Sequence, residues 1–228
     1  MSTQFANQLA EQVPSWGNFL TLDDAHQYLQ IPSGDTSRDS TLQFTIDAAC
    51  YWVQDYLARP VAPTLFFRRF DGWSGYSGAY LEVPYYPILQ YPALPVIVEW
   101  WGSNGPQNIV LQTPENQAGG AQCYQLDALR GRLTRTFAGL VARPWFPGLQ
   151  NVEVEWWAGY NPIPATIRWA TCELIAYWWR NTQQASRTGP RGSNQDYGGS
   201  IDPSSSLWPG VPNRVSEMLQ PYLQQGIG

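Results

Sequence analysis

The hydrophobic period of this chain changes twice, and that constrains its fold more than any motif does. From Asp39 to Pro60, "DSTLQFTIDAACYWVQDYLARP", apolar residues recur at helical spacing: Leu42, Ile46, Ala49, Val53 and Leu57. From Pro63 to Tyr160 the text becomes short aromatic and β-branched runs between Gly, Pro and Asn turns. After Tyr160 the helical period returns, with Ile163, Ile167, Ala170, Leu174 and Trp178 along one face. A period of two cannot share one element with a period of 3.6, so a β region about 100 residues long must sit between helical segments.

The boundaries that follow are these. Residues 1–20 form a polar leader, residues 21–62 and 161–182 make two parts of a helical core, and residues 63–160 are a β-rich insertion. Residues 183–210 are a flexible tether, and residues 211–228 carry a C-terminal helix. The expected class is α+β: a helical bundle core with a large β insertion and a tethered terminal helix. "TLDDAHQYLQI" predicts a short first helix, with Thr21 as N-cap, Asp24 at the capping-box position and Leu22, Ala25 and Leu29 on one face. Asp39 is the expected cap of the second helix, and Arg59-Pro60 its stop. The predicted strands are "LFFRRF", "AYLEV", "VIVEWW", "NIVLQ", "CYQLD", "RLTRTF" and "NVEVEWW", and "TPENQAGG" reads as a hairpin loop. The Gly-, Ser- and Pro-rich run after Asn181 lacks any period, which points to a linker or to a segment that orders on binding. In "VPNRVSEMLQPYLQQGIG", Pro212 suits a helix start and Pro221 breaks that helix after about two turns.

Composition narrows the function. The sequence has 228 residues, 43% hydrophobic and 14% charged, which is globular material. No apolar run reaches the roughly 20 residues that a membrane helix needs, and no signal peptide is evident, so a cytosolic site of synthesis and no membrane partner are expected. The net charge of −5 argues against a nucleic-acid clamp, and all 13 basic residues are arginines. Residues 1–60 hold seven acids against Arg38 and Arg59, while residues 161–228 hold four acids against five arginines, an asymmetry able to orient like subunits in an assembly. Cys50, Cys123 and Cys172 form no CxxC pair and read as buried free thiols. The 12 Trp, 13 Tyr and 8 Phe suggest a surface that packs against several neighbours.

The search for chemistry yields little. The one histidine, His26, has Asp23 one turn away, but no nucleophile is marked beside it and a surface position is the simpler reading. Without lysine there is no GxxxxGK phosphate loop and no Schiff base. The glycines of "DGWSGYSGAY" lack a following helix for a dinucleotide. Glu153 and Glu155 share a strand face, as a glycosidase pair would, and as solvated acids commonly do. The sharp junction "AGYNPIP" carries neither nucleophile nor phosphate cradle. It reads as a structural hinge built from Gly159, Tyr160, Pro162 and Pro164. No catalytic residue, cofactor or metal is assigned.

Several stretches, in order, resemble the head–tail connector (adaptor) proteins of tailed phages. "LTLDDAHQYLQIPSGDTSRDSTLQFTIDAACYWVQDYLARPV" is similar to that family's opening, where a short helix, an acidic loop and a long helix end in an arginine. "LEVPYYPI" resembles its L-P-x-x-P-I strand, and "YQLDALRGRL" with Trp145 resembles its middle strands. "NVEVEWWAGYNPIPATIRWATCELIAYWWR" resembles its strand-to-helix motif. The matches span most of residues 20–182; the leader, the longer β region and the long tether depart from the pattern. The resemblance implies a non-enzymatic homo-oligomeric ring of twelve subunits in the virion neck, assembled in the host cytoplasm. The ring would lie between the portal protein and a stopper or tail-completion protein, with genomic DNA passing through without specific binding. It also implies that the C-terminal segment reaches the portal. The apolar residues there, Leu207, Trp208, Val215, Met218, Leu219, Tyr222 and Leu223, are the expected anchor, on the reasoning that so short a helix needs a surface to cover its stripe; the alternative surface is the chain's own helical core, with the segment folded back onto it. The rival readings are another neck protein such as a stopper, a carbohydrate-binding module that stacks Trp on sugars, and a glycosidase.

Overall fold

In a computed structural model of the chain, the described residues are 17–32, 34–72, 80–111, 113, 122–137, 141–188 and 211–223. The chain divides into two compact units, residues 1–58 with 163–228, and residues 59–162. Leader residues 1–16 and tether residues 189–210 lie outside the described residues.

The first unit is helical. Helix α1, Leu22–Leu29, starts at a full capping box: the Thr21 side chain accepts from the Asp24 amide, and the Asp24 carboxylate accepts from the Thr21 amide. Burial alone would raise the Asp24 carboxyl. The bonds from Thr21 and the Arg168 guanidinium 2.8 Å away outweigh it and hold the carboxyl below its ordinary range. Helix α2, Asp39–Leu57, buries the five residues of its apolar stripe. Its N-cap position is Arg38 and makes no side-chain cap. Asp39 is instead the first helical residue, and its carboxylate meets His26 Nε2 at 2.8 Å. Helix α3, Ala165–Thr188, begins after Ile163 and continues past Asn181, so residues 183–188 are helical and not tether. Helix α4, Asn213–Leu219, turns into a 3₁₀ turn at Gln220–Tyr222 where Pro221 removes a donor. α3 packs against α1, α2 and α4.

The second unit is a nine-stranded sheet in the order β1-β9-β4-β5-β6-β7-β2, with β3 also on β9 and β8 also on β7. The strands are β1 Thr64–Gly72, β2 Tyr80–Glu82, β3 Ile88–Leu89, β4 Val96–Trp100, β5 Pro106–Leu111, β6 Cys123–Asp127, β7 Arg132–Phe137, β8 Val141–Ala142 and β9 Gly148–Ala158. All pairs are antiparallel except β5 with β6, where Val110 lies beside Cys123 and Leu111 beside Tyr124. The segment "TPENQAGG" therefore connects parallel strands and is not a hairpin loop.

The mixed α+β class holds, but a helical bundle serving as the core of the protein is not what the chain builds. The β unit has a hydrophobic core of its own, drawn from β2, β4, β5, β6, β7 and β9, with Trp145, Trp156 and Tyr124 filling it. Part of the aromatic content is thus spent in this core, where Phe66, Phe70 and Tyr85 also pack. The Trp156 Nε1–H donates to the Tyr85 carbonyl at 3.0 Å and the Tyr124 hydroxyl to the Pro95 carbonyl at 2.9 Å, so these two rings are buried with their polar atoms satisfied, whereas the Trp145 Nε1–H is buried with no partner among the described residues.

Glu99 on β4 is fully buried and meets Arg135 of β7 at 3.1 Å. With β5 and β6 between them in the sheet order, a flat sheet would separate these strands by about 14 Å, so the sheet curls round its core to bring them together. Glu99 also accepts from Trp101 Nε1 at 2.6 Å and from the Phe146 amide, while Arg135 donates to Gln122 and to the Pro144 carbonyl. One buried ion pair thus fixes both the curl and the 143–147 loop. Breaking such a pair strands a charge in the interior. Glu99→Ala is expected to cost about 3–5 kcal/mol in urea unfolding, and Glu99→Ala with Arg135→Met substantially less; equal losses for the two variants would show that the pair does not couple the strands.

Candidate functional site

The residues singled out as enzymatic candidates meet other partners than the sequence suggested. His26 is buried, not on the surface, and its partner is Asp39 of the next helix, not Asp23. The two residues line an open pocket of about 340 Å³ with Ile31, Asp35, Arg38 and Trp179. Ser37 also lines it, but its hydroxyl donates to Asp35 at 2.6 Å. Glu153 and Glu155 do share the β9 face; Glu153 is held by Arg69 on β1 at 2.6 Å, opposite it in register, and Glu155 is exposed. Among the described residues no group of three or more His, Cys, Asp or Glu is placed to hold a metal. The three cysteines are free and buried, and burial pushes the Cys172 thiol up to about 11. No described helix is long and apolar enough to cross a membrane.

The junction that looked like a hinge is closely packed. Its strand part lies in the β unit, where Ala158 pairs with Thr64 of β1 and with Ile88 of β3. Gly159 has φ +130°, and a Cβ placed on it would sit 2.6 Å from the Ala62 carbonyl oxygen, a position closed to any other residue. Its amide donates to the Pro87 carbonyl, and the Tyr160 amide donates to the Val61 carbonyl, both at 3.0 Å. Pro162 ends the β unit after a cis peptide bond from Asn161. Pro164 stands just before α3, and its carbonyl accepts from the Ile167 and Arg168 amides at the helix start. Its missing N–H costs nothing there.

The terminal segment has a surface in its own chain. Val215 and Leu219 are fully buried where α4 packs along α3, and Arg214 approaches Glu173 of α3 at 3.6 Å. Tyr28 joins the same corner: burial first, then the hydrogen bond with Glu173, pushes its hydroxyl up to about 12. Met218, Tyr222 and Leu223 are half-buried, and Leu207 and Trp208 lie outside the described residues. Two residues of the stripe, Val215 and Leu219, thus have their cover on α3 of their own chain. Sequence spacing marked the stripe but could not say which helix would face it. Leu219→Ala in the isolated protein is expected to cost about 2–5 kcal/mol; an unchanged melting temperature would show that α4 is not docked in solution.

Among the described residues, the helical unit also carries exposed rings, of which Trp169 meets Tyr28 of α1 edge-on with ring centroids 5.5 Å apart. Phe44 and Tyr51 stand out from α2, and Trp169 and Tyr177 from α3. In the β unit, Tyr91, Leu94, Val96, Trp100, Phe146 and Leu149 are exposed. Aromatic side chains are enriched on surfaces that pack against other proteins.

This fold, curled sheet and helices together, is one found in the necks of phage-like particles. The chain aligns with a chain in the neck of an empty gene transfer agent (GTA) particle computed with C6 symmetry, at TM-score 0.55 and 14% identity, over 95% of each chain. It aligns with a chain of the virion of a native GTA particle at TM-score 0.52 and 17% identity, over 92% of this chain and 91% of that one. A chain in the neck of a native GTA particle computed with C12 symmetry gives TM-score 0.50 and 14% identity, over 93% and 96%. No family model matches the chain, and no curated protein sequence matches it.

Proposed function

We propose that this chain is a structural protein of a virion neck: a head-to-tail adaptor that forms a ring of twelve between the portal and a stopper or tail protein and encloses the DNA channel. The observation that carries the reading is the end-to-end likeness, 95% of each chain, to a chain of a particle neck computed with cyclic symmetry. The order of connector-like motifs along residues 20–182 supports it independently. So does the charge: at −5 with no lysine, the protein is a poor phosphate binder, which suits a channel through which DNA slides. The pocket around His26 offers no nucleophile engaged with the imidazole, which favours a structural role over an enzymatic one.

In this reading the portal contact is made by the C-terminal segment. Val215 and Leu219 hold α4 to α3, and the half-buried Met218, Tyr222 and Leu223 join Leu207 and Trp208 in meeting the portal. Electron microscopy of assembled particles tests the whole. The expected result is density for this chain as a closed ring of twelve against the portal. Its absence from the neck, or its presence there as an isolated monomer, would overturn the reading.

A further inference from the structure

We infer that the ring interface is formed by two different helix faces: the exposed stripe of α2 on one copy docks against the exposed stripe of α3 on the next. The inference rests on the ring reading and adds to it the surface and the polarity of assembly.

On α2, Ser40, Phe44, Asp47, Tyr51 and Asp55 are all exposed and recur at helical spacing, so they form one line opposite the buried Leu42–Ile46–Val53 face. Phe44 is 74% exposed. The stripe alternates rings with carboxylates and carries no cation. On α3, Thr166, Trp169, Tyr177 and Arg180 are exposed along one line, with the half-buried Glu173 among them, Trp169 edge-on to Tyr28 of α1, and the fully buried Ile175 on the opposite side. The one acid there, Glu173, is engaged by Arg214 and Tyr28, which leaves Arg180 as the outward charge, with Arg168 near the other end beside Asp24. α2 and α3 pack against each other, and each line lies on the solvent side of its own helix.

Two features make a second copy the occupant. The stripes are complementary to each other and not to themselves: α2 against α2 would set Asp47 and Asp55 against like charges, whereas α2 against α3 sets them against arginine. A closed ring also needs a head-to-tail contact between two unlike patches, because a self-complementary patch closes at a dimer. An acidic-aromatic stripe on α2 and an aromatic stripe on α3 whose outward charge is Arg180, both on the same small unit, meet that requirement.

The test is the full-length chain carrying Asp55→Cys and Arg180→Cys, incorporated into assembled particles and treated with a short bismaleimide. Native Cys50, Cys123 and Cys172 are buried, so the introduced thiols are the accessible ones among the described residues. The expected product is a ladder of covalent multimers from the double variant, with each single variant at least about fivefold less cross-linked. In parallel, Asp55→Arg and Arg180→Glu should each reduce incorporation about tenfold, and the two together in one chain should restore most of it. A ring seen by microscopy that gives no ladder, or single variants that cross-link as well as the double, would overturn the inference and leave the ring reading standing. Absence of any ring would remove both.

Discussion

The Tyr160 amide donates to the Val61 carbonyl, and one residue earlier Gly159 passes so close to Ala62 that a side chain has no room. This contact clasps the point where the chain leaves the β unit to the point where it came in. Its neighbours extend it: β1 and β9 pair from Thr64 against Ala158 to Phe70 against Val152, an antiparallel ladder of first and last strands. Because the ends of the β unit meet, the two helical segments on either side of it in sequence can pack as one unit, α2 against α3, although about 100 residues intervene. The entropy of closing so long a loop grows only slowly with its length, and a well-ordered clasp fixes the closure. A glycine is required by the geometry of that approach, not by any chemistry at the junction.

What was legible in the sequence is what local periodicity and capping encode. The Thr21–Asp24 box, the Leu42-to-Leu57 stripe and most strand cores follow from neighbours within a few residues. Long-range pairings were not legible. Asp39 has the composition of a cap, yet it serves His26, thirteen residues back. Nothing local tells that β5 and β6 run parallel, or that Glu99 reaches Arg135 across a curl. Ile88–Leu89 and Val141–Ala142 are too short to show a period at all. The last turns of α3, from Asn181 to Thr188, have no apolar repeat, so composition pointed to a tether where helix continues. The terminal stripe was visible, but its partner on α3 was a tertiary fact.

The same distinction runs through the functional surfaces. Residue types alone suggested an aromatic exterior; the structure divides the aromatics between a β core built on Trp145 and Trp156 and outward rings on α2 and α3. On the helices, the exposed line of α2 carries Asp47 and Asp55 and no cation, while that of α3 carries Arg180 and the engaged Glu173. The polar groups that would signal catalysis are engaged in holding elements together: His26 joins α1 to α2, and Glu153 joins β9 to β1. Buried polar pairs of this kind fix geometry more than they add stability.

The clasp is the central physical claim, and native-state hydrogen exchange of the Gly159 and Tyr160 amides tests it most directly. If the two ends of the β unit are one cooperative element, both amides exchange only through global unfolding, at the rate of Val152 and Val154 in the middle of β9. Exchange of the Gly159 and Tyr160 amides by local fraying, while those β9 amides stay protected, would contradict it.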